Sequence, residues 1–365
     1  MPEVPKTHKF PFFLKNFSFF CLSLVLICKI SLKYPLKKSQ GKAVFKTLGF
    51  CLFVSCLCAD TAPQTPPITA WFTGPLLCPS YSAVPAGSYN IEPYIFVNTI
   101  GGNYDSSWTR VSTQTLISAY YSILAQIGLT SYFNVSITPQ FFYQSLGPSS
   151  SANIGDLPVE AYFIVLNEDL NGIRPGITIG LKASVPLGRY KNLSPGDAST
   201  QAVGSGSWKP AMSFVIGKQI HIKDIHFLTL RAYFNSQFQN RFNVDGFHAY
   251  GGGYETKGQI TLGAQFTTIA SFEYSFSRHG VFALDIQYQH NNKSSFKGNA
   301  GYTDPIFRTL LPPSNAPSSE QLSLAPALEY NFNSNVGLIA GVWFTVAGRN
   351  AQAFITPTCA LNIEY

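Results

Sequence analysis

From residue 88 to the C-terminus the chain alternates apolar and other residues with period two. The longest run is Ile260 to Phe276: Ile260, Leu262, Ala264, Phe266, Thr268, Ala270, Phe272, Tyr274 and Phe276 hold the even positions. Thr261, Gly263, Gln265, Thr267, Ser271, Glu273 and Ser275 stand between them. A period of two belongs to an extended strand with two unlike faces. The pattern predicts twelve strands: 88–99, 113–126, 132–144, 158–167, 174–185, 209–217, 226–236, 259–277, 280–290, 320–332, 335–347 and 352–365. Each is about as long as the ~9–11 residues a tilted strand needs to cross a bilayer, or longer.

The connections alternate short and long, from Ser277-Arg278-His279 to the stretch Asn291 to Ser319. Within the strands, Glu92, Glu160, Lys182, Arg231, Glu273, Asp285, Glu329 and Glu364 lie on the less apolar parity. A Lys or Arg facing lipid at mid-bilayer costs ~2–4 kcal/mol, which gives that separation a physical cause. The expected fold is therefore an all-β, transmembrane, antiparallel up-and-down barrel of about 12 strands spanning 88–365. An even strand count places both termini on the short-turn side. A soluble sandwich also alternates, but its outer face is rich in charge, whereas here the polar face is mostly Ser, Thr, Asn, Gln and Gly.

Composition narrows the choice further. Charged residues make up 12% of the chain, against the roughly 25% usual for soluble proteins, and aromatic residues 15%. So aromatic and weakly charged a chain is not disordered. Its 29 glycines and 24 prolines exclude a long coiled coil. The net charge of +7 is confined to one end: residues 1–59 hold nine lysines and one acid, which leaves 16 basic and 17 acidic residues beyond. No basic patch remains for a nucleic-acid partner.

Residues 1–59 are expected to be a leader. Apolar runs Phe17–Cys28 and Thr47–Leu57 each follow lysines, and the second ends at Ala59, where cleavage of a signal peptide is expected. From the tandem arrangement the true start is expected within residues 30–46; a membrane-anchored N-terminus is the alternative. Phe53-Val54-Ser55-Cys56 departs from a lipoprotein signal because Phe53 stands where an aliphatic residue is expected. Residues 60–87 form a periplasmic or plug-like segment. Cys78 and Cys359 are then the only mature cysteines, and two inert thiols are expected.

Catalytic chemistry finds little support. Of His8, His221, His226, His248, His279 and His290, the nearest pair, His221 and His226, falls in a turn, where solvated histidines are expected and not a zinc site. His290 has outward parity, as a barrel lipase would need, but no outward Ser beside it. Gly251-Gly252-Gly253 lacks the strand–helix context of phosphate binding. Neither an enzyme nor a cofactor or metal is expected.

The inward charges Glu92, Glu160, Lys182, Arg231, Glu273, Asp285 and Glu329 are the candidate lumen lining. They form either a mildly cation-tolerant, water-containing pore constricted at Lys182 and Arg231, or internal salt bridges that plug a narrow bore. Five acids against two bases cannot all pair. Tyr89, Phe133, Tyr143, Tyr274, Phe276, Tyr288, Tyr330 and Phe332 are expected at the membrane interfaces. The ending Leu361, Ile363 and Tyr365 resembles the assembly signal of bacterial outer-membrane proteins, with an open last strand available for edge pairing.

Four stretches carry a more specific resemblance: Gly155-Asp156-Leu157-Pro158, Arg174 to Tyr190, Gly204-Ser205-Gly206-Ser207-Trp208, and Ala325 to Asn350. In that order they resemble the outer-membrane transporter family associated with meta-pathway phenol degradation, a relative of the long-chain fatty-acid channels. The resemblance implies a 12-stranded barrel passing small molecules, aromatic or apolar ones among them, with no catalytic residues to carry over. It implies a location in the bacterial outer membrane after export through the inner membrane. The partners implied are outer-membrane lipids, the barrel-assembly machinery and a small-molecule solute. The alternative function is a surface structural or adhesion barrel that presents long loops.

Overall fold

The computed structural model describes residues 70–365; the expected leader and residues 60–69 lie outside them. Nearly all regular structure is strand. In chain order the strands are β1 (Tyr89–Tyr104), β2 (Arg110–Thr130), β3 (Phe133–Ile137), β4 (Gln140–Leu146), β5 (Ser149–Ile154), β6 (Leu157–Leu166) and β7 (Gly176–Val185). They continue as β8 (Lys209–Lys223), β9 (His226–Gln237), β10 (Phe242–Asp245), β11 (Lys257–Thr261), β12 (Gln265–Ser275) and β13 (Gly280–Asn291). The last are β14 (Ser295–Asn299), β15 (Ser319–Asn331), β16 (Val336–Arg349) and β17 (Ala351–Glu364).

Fourteen of these make up an antiparallel barrel of twelve wall strands, β3 with β4 and β5 with β6 each forming one interrupted strand, and the barrel closes because β1 pairs with both β2 and β17. Closure is completed at the chain end. Tyr89 and Tyr365 exchange backbone hydrogen bonds of 2.8 and 2.9 Å, and their rings stack with centroids 5.4 Å apart. Tyr365, with Leu361 and Ile363, thus sits on the outward parity of the seam strand.

The outward positions are bare hydrocarbon: Ile91, Ile95 and Val97 on β1, Leu328 and Tyr330 on β15, and Ile355 on β17 are exposed. The intervening Glu92, Glu160, Glu273, Asp285 and Glu329 are buried inside. That inversion of a soluble core is what a membrane-spanning barrel requires. Glu320, with its partner Arg349, and Lys218 break the parity. Glu320 sits on the outward row of β15, where Arg349 holds it at 3.0 Å and His290 lies 3.6 Å away. Lys218 extends β8 past the expected end at 217 and reaches Glu168 at 3.0 Å. Glu320 lies at the start of β15 and Lys218 just past the last β7 pair at Gly217, and each is paired.

The 259–277 strand is not continuous. Its first part, β11, leaves the wall and joins β10 and β14 in a three-stranded sheet at the end remote from the chain termini. Ile260 and Val244 are wholly buried there, so Ile260 faces a small loop core instead of the outside. The break falls at Gly263, where a Cβ would strike the Asn292 backbone at 2.2 Å. The expected loop Asn291 to Ser319 contains β14 for the same reason.

Two further wall strands are interrupted, at Thr138-Pro139 between β3 and β4 and at Gly155-Asp156 between β5 and β6. Beyond the breaks β5 pairs with β4 alone, while β6 pairs with β7. The loop 186–208, with a helical turn α1 (Ala198–Gln201), packs there, Ser149 Oγ donating to Asp197 at 2.6 Å. Asp156 is the knot: its carboxylate accepts from Gly188 N, Ser205 N and Ser205 Oγ, and Lys209 lies 3.3 Å away. Three of the four resembling stretches therefore meet at one buried carboxylate.

In the loop sheet, His248 is buried, and Tyr250 N donates to its Nδ1 at 3.2 Å. Burial lowers its pKa to about 4 from an ordinary 6.5. The unfolded loop therefore binds more protons between these values, and its order weakens as pH falls from 6.5 towards 4. Amide exchange across 246–256 should rise over that window and stay flat in a His248→Gln variant; a flat wild-type profile would contradict this burial.

Candidate functional site: a strapped lumen

Residues 70–88, just before β1, run inside the barrel. They enter at the short-turn end, where Trp71 N donates to Arg278 O at 3.3 Å and Asn331 Nδ2 donates to Trp71 O at 3.0 Å. Thr73 Oγ1 then bonds Asn331 Oδ1 at 2.8 Å. The segment crosses the lumen, and Thr178 Oγ1 donates to Tyr81 O at 2.8 Å on the far wall. It leaves beside β2, with Gly87 N donating to Gly128 O at 2.8 Å. Prolines at 75, 79 and 85 keep this strap extended and without sheet partners.

Glycines in the wall make room for it. A Cβ at Gly337 would meet Thr73, and one at Gly341 would meet Leu76 at 2.7 Å. Gly176 and Gly217 are cross-strand partners, and together they seat the Tyr81 ring. A Cβ at Gly217 would fall 2.0 Å from that ring. Gly217→Val is therefore expected to unseat this leg of the strap while the barrel still folds. Cysteine-reactivity of Cys78, buried at 4% exposure, reports it. Burial shields the Cys78 thiol, so Cys78 should resist maleimide in the wild type and label in the variant; equal resistance would contradict the seat.

Two of the three acids left over by charge pairing hold the strap, and the third, Glu92, is satisfied by the wall. Lys182 pairs with Glu160 at 2.8 Å and Arg231 with Glu273 at 2.6 Å, so both bases are engaged. Glu329 Oε2 accepts from Thr73 N at 2.8 Å and Gly74 N at 3.4 Å. Asp285 Oδ2 accepts from Leu77 N at 2.8 Å. Glu92 accepts from Asn362 Nδ2 at 2.9 Å and from the Tyr94 hydroxyl at 3.1 Å. For Glu329 and Asp285, backbone N–H groups thus supply the donors that the two bases cannot, and charge-assisted bonds of this kind are the strong ones.

The seven expected lumen residues are all inside, but they do not form one ring. Glu92, Glu160, Lys182 and Arg231 face a cavity of about 500 Å³ between the strap and the wall, also bounded by Tyr94, Tyr162 and Tyr233. Glu273, Asp285 and Glu329 lie on the adjoining arc β12–β13–β15, Asp285 and Glu329 bonded to the strap. Above the cavity is an inward row of rings that parity alone did not single out. Phe96 stacks on Tyr120 at 4.3 Å and Tyr120 on Phe142 at 5.2 Å. Register makes them direct neighbours across three strands. Of the expected interface aromatics, Tyr89, Tyr143, Phe276, Tyr288, Tyr330 and Phe332 are exposed outward, while Phe133 and Tyr274 are half-buried.

Cys78 and Cys359 are both free thiols, Cys78 in the strap and Cys359 on β17. Among the described residues no group of His, Cys, Asp or Glu is arranged to hold a metal.

No protein-family model and no curated protein matches the chain. Solved structures do. The COG4313 outer membrane channel from Pseudomonas putida F1 superposes with a TM-score of 0.59 at 14% identity, covering 80% of this chain and 100% of that one. The two share a fold. The NanC porin follows at TM-score 0.38 and 7% identity, over 74% of this chain and 98% of that one. The β domain of the Bordetella autotransporter BrkA stands at 0.40 and 9%, over 77% and 100%.

Proposed function

We propose that the protein is a passive outer-membrane channel for small solutes, aromatic or apolar ones among them. The observation that carries this reading is the cavity of about 500 Å³ left between strap and wall, lined by charged and phenolic side chains inside an apolar-faced barrel. A barrel serving only as a platform gains nothing from keeping polar space beside a threaded segment. The stacked row Phe96–Tyr120–Phe142 supports the aromatic part, since a planar solute meets ring edges on its way to the cavity. The likeness in fold to a solved outer membrane channel and the order of the four resembling stretches support the same reading.

Conductance in planar bilayers tests it. Purified protein should give small, discrete openings, and liposomes containing it should swell in phenolic solutes faster than in sugars of similar size. Silence in both assays, from protein that has inserted, would overturn the proposal.

The display reading has one observation of its own. The loop sheet carries Ile306, Phe307 and Leu310 at 80, 83 and 74% exposure, on a turn fixed by Asp304 Oδ1 accepting from Ile306 N and Phe307 N. Loss of cell-surface attachment on deleting 303–311, with conductance absent throughout, would favour it.

A further inference from the structure

The outward face of the barrel is not uniformly ridged. At the short-turn end of β12, β13, β15 and β16 lies a notch of about 310 Å³. Its walls are Phe276, Leu328, Tyr330 and Leu338, all exposed on the outward parity. Its depth comes from two small residues. Register sets Gly280 opposite Tyr330, and Ala340 opposite Leu328 in the next row. The Phe276 ring leans onto Gly280, where a Cβ would fall 2.4 Å from it. Glu329 contributes no charge to the notch, because its carboxylate is turned to the strap inside.

What covers this notch follows from where it is. It lies in the apolar belt, so its occupant is hydrocarbon, and it ends at a turn bearing a cation. Arg278 is exposed, and its guanidinium lies 4.5 Å from the centre of the Trp71 ring. No carboxylate lies within 4 Å of it among the described residues. His279 beside it stacks on Tyr330 with centroids 5.9 Å apart, tying the turn to the notch wall. A fixed guanidinium without an acidic partner suits a phosphate oxygen.

We infer that the notch seats one acyl chain of an anionic phospholipid of the periplasmic leaflet, with the lipid phosphate at Arg278. This rests on the membrane-spanning reading and on nothing about the solute. An apolar chain fills the depression that Gly280 and Ala340 leave, where neighbouring side chains cannot close it. The phosphate then lies at headgroup depth, level with the aromatic residues of the short-turn end.

The test uses the mature protein in phosphatidylcholine nanodiscs doped with phosphatidylglycerol, counting lipids retained per barrel by native mass spectrometry. Ala340→Phe fills the notch, Arg278→Gln removes the cation, and Leu230→Phe alters the belt elsewhere. Retained phosphatidylglycerol should fall about tenfold in the first two, the affinity equivalent of ~1.4 kcal/mol, and stay unchanged in the third. Arg278→Gln should erase the preference over phosphatidylcholine. Wild-type retention in Ala340→Phe, or no headgroup preference in the native protein, would overturn the site. A second measurement does not depend on the variants folding: a photoreactive-acyl phosphatidylglycerol should label residues 336–342 of the native barrel, and labelling spread evenly over the belt would count against the notch. Failure to insert into liposomes at all would instead overturn the membrane-spanning reading.

Discussion

Deleting Phe72 to Val84 is expected to raise single-channel conductance several-fold and to turn the pore towards cations. The strap fills the short-turn half of the lumen, and its removal joins the present cavity to the space it occupied. Selectivity changes because the strap screens charge as well as filling volume. While it is seated, Glu329 and Asp285 accept backbone N–H groups of Thr73, Gly74 and Leu77. Without it, Glu92, Glu160, Glu273, Asp285 and Glu329 face water against only Lys182 and Arg231, an excess of three negative charges. Rings of acidic side chains favour cations. Reversal potentials under a salt gradient should shift accordingly, and the shift should shrink in a deletion that also carries Asp285→Asn and Glu329→Gln. Unchanged conductance after deletion would mean that solutes do not pass where the strap lies.

The second large effect is on stability. Arg231→Met should destabilise the barrel by about 3–5 kcal/mol, the usual cost of stranding one partner of a buried ion pair. Arg231 Nη2 lies 2.6 Å from Glu273, whose side chain is wholly buried, and the guanidinium also sits 5.6 Å from the centre of the Tyr81 ring. Its loss leaves Glu273 uncompensated and removes a contact of the strap. The urea midpoint for loss of the heat-modifiable folded band should drop, and Arg231→Met combined with Glu273→Gln should recover most of the loss. A double variant as unstable as the single one would show that Arg231 acts through packing instead of charge.

Much of this architecture is legible in the residues. Period two reveals the faces, and the placement of Glu92, Glu160, Glu273, Asp285 and Glu329 on one parity shows which face is inside. Periodicity is blind to where a strand stops pairing. Ile260 to Phe276 keeps its alternation through the break at Gly263, because the loop sheet also needs one buried face. The strap escapes a pattern search for a different reason. Phe72 to Val84 has no period, and its partners lie over 200 residues away for Glu329 and Asp285. A fainter signal was present: five acids against two bases demanded further donors, and glycines at 176, 217, 337 and 341 interrupt strands that gain nothing from them unless something approaches closely. The stacked row of Phe96, Tyr120 and Phe142 depends on cross-strand register, which parity does not fix.

Everything rests on which face of the wall touches hydrocarbon. Nitroxide labels placed singly at Val97, Ile355, Ser118 and Thr356 in liposome-reconstituted protein measure it directly, by relaxation with oxygen and with a water-soluble nickel chelate. Val97 and Ile355 should collide with oxygen and be shielded from nickel, while Ser118 and Thr356 should be shielded from lipid-dissolved oxygen. Nickel-accessible labels at Val97 and Ile355 would contradict this.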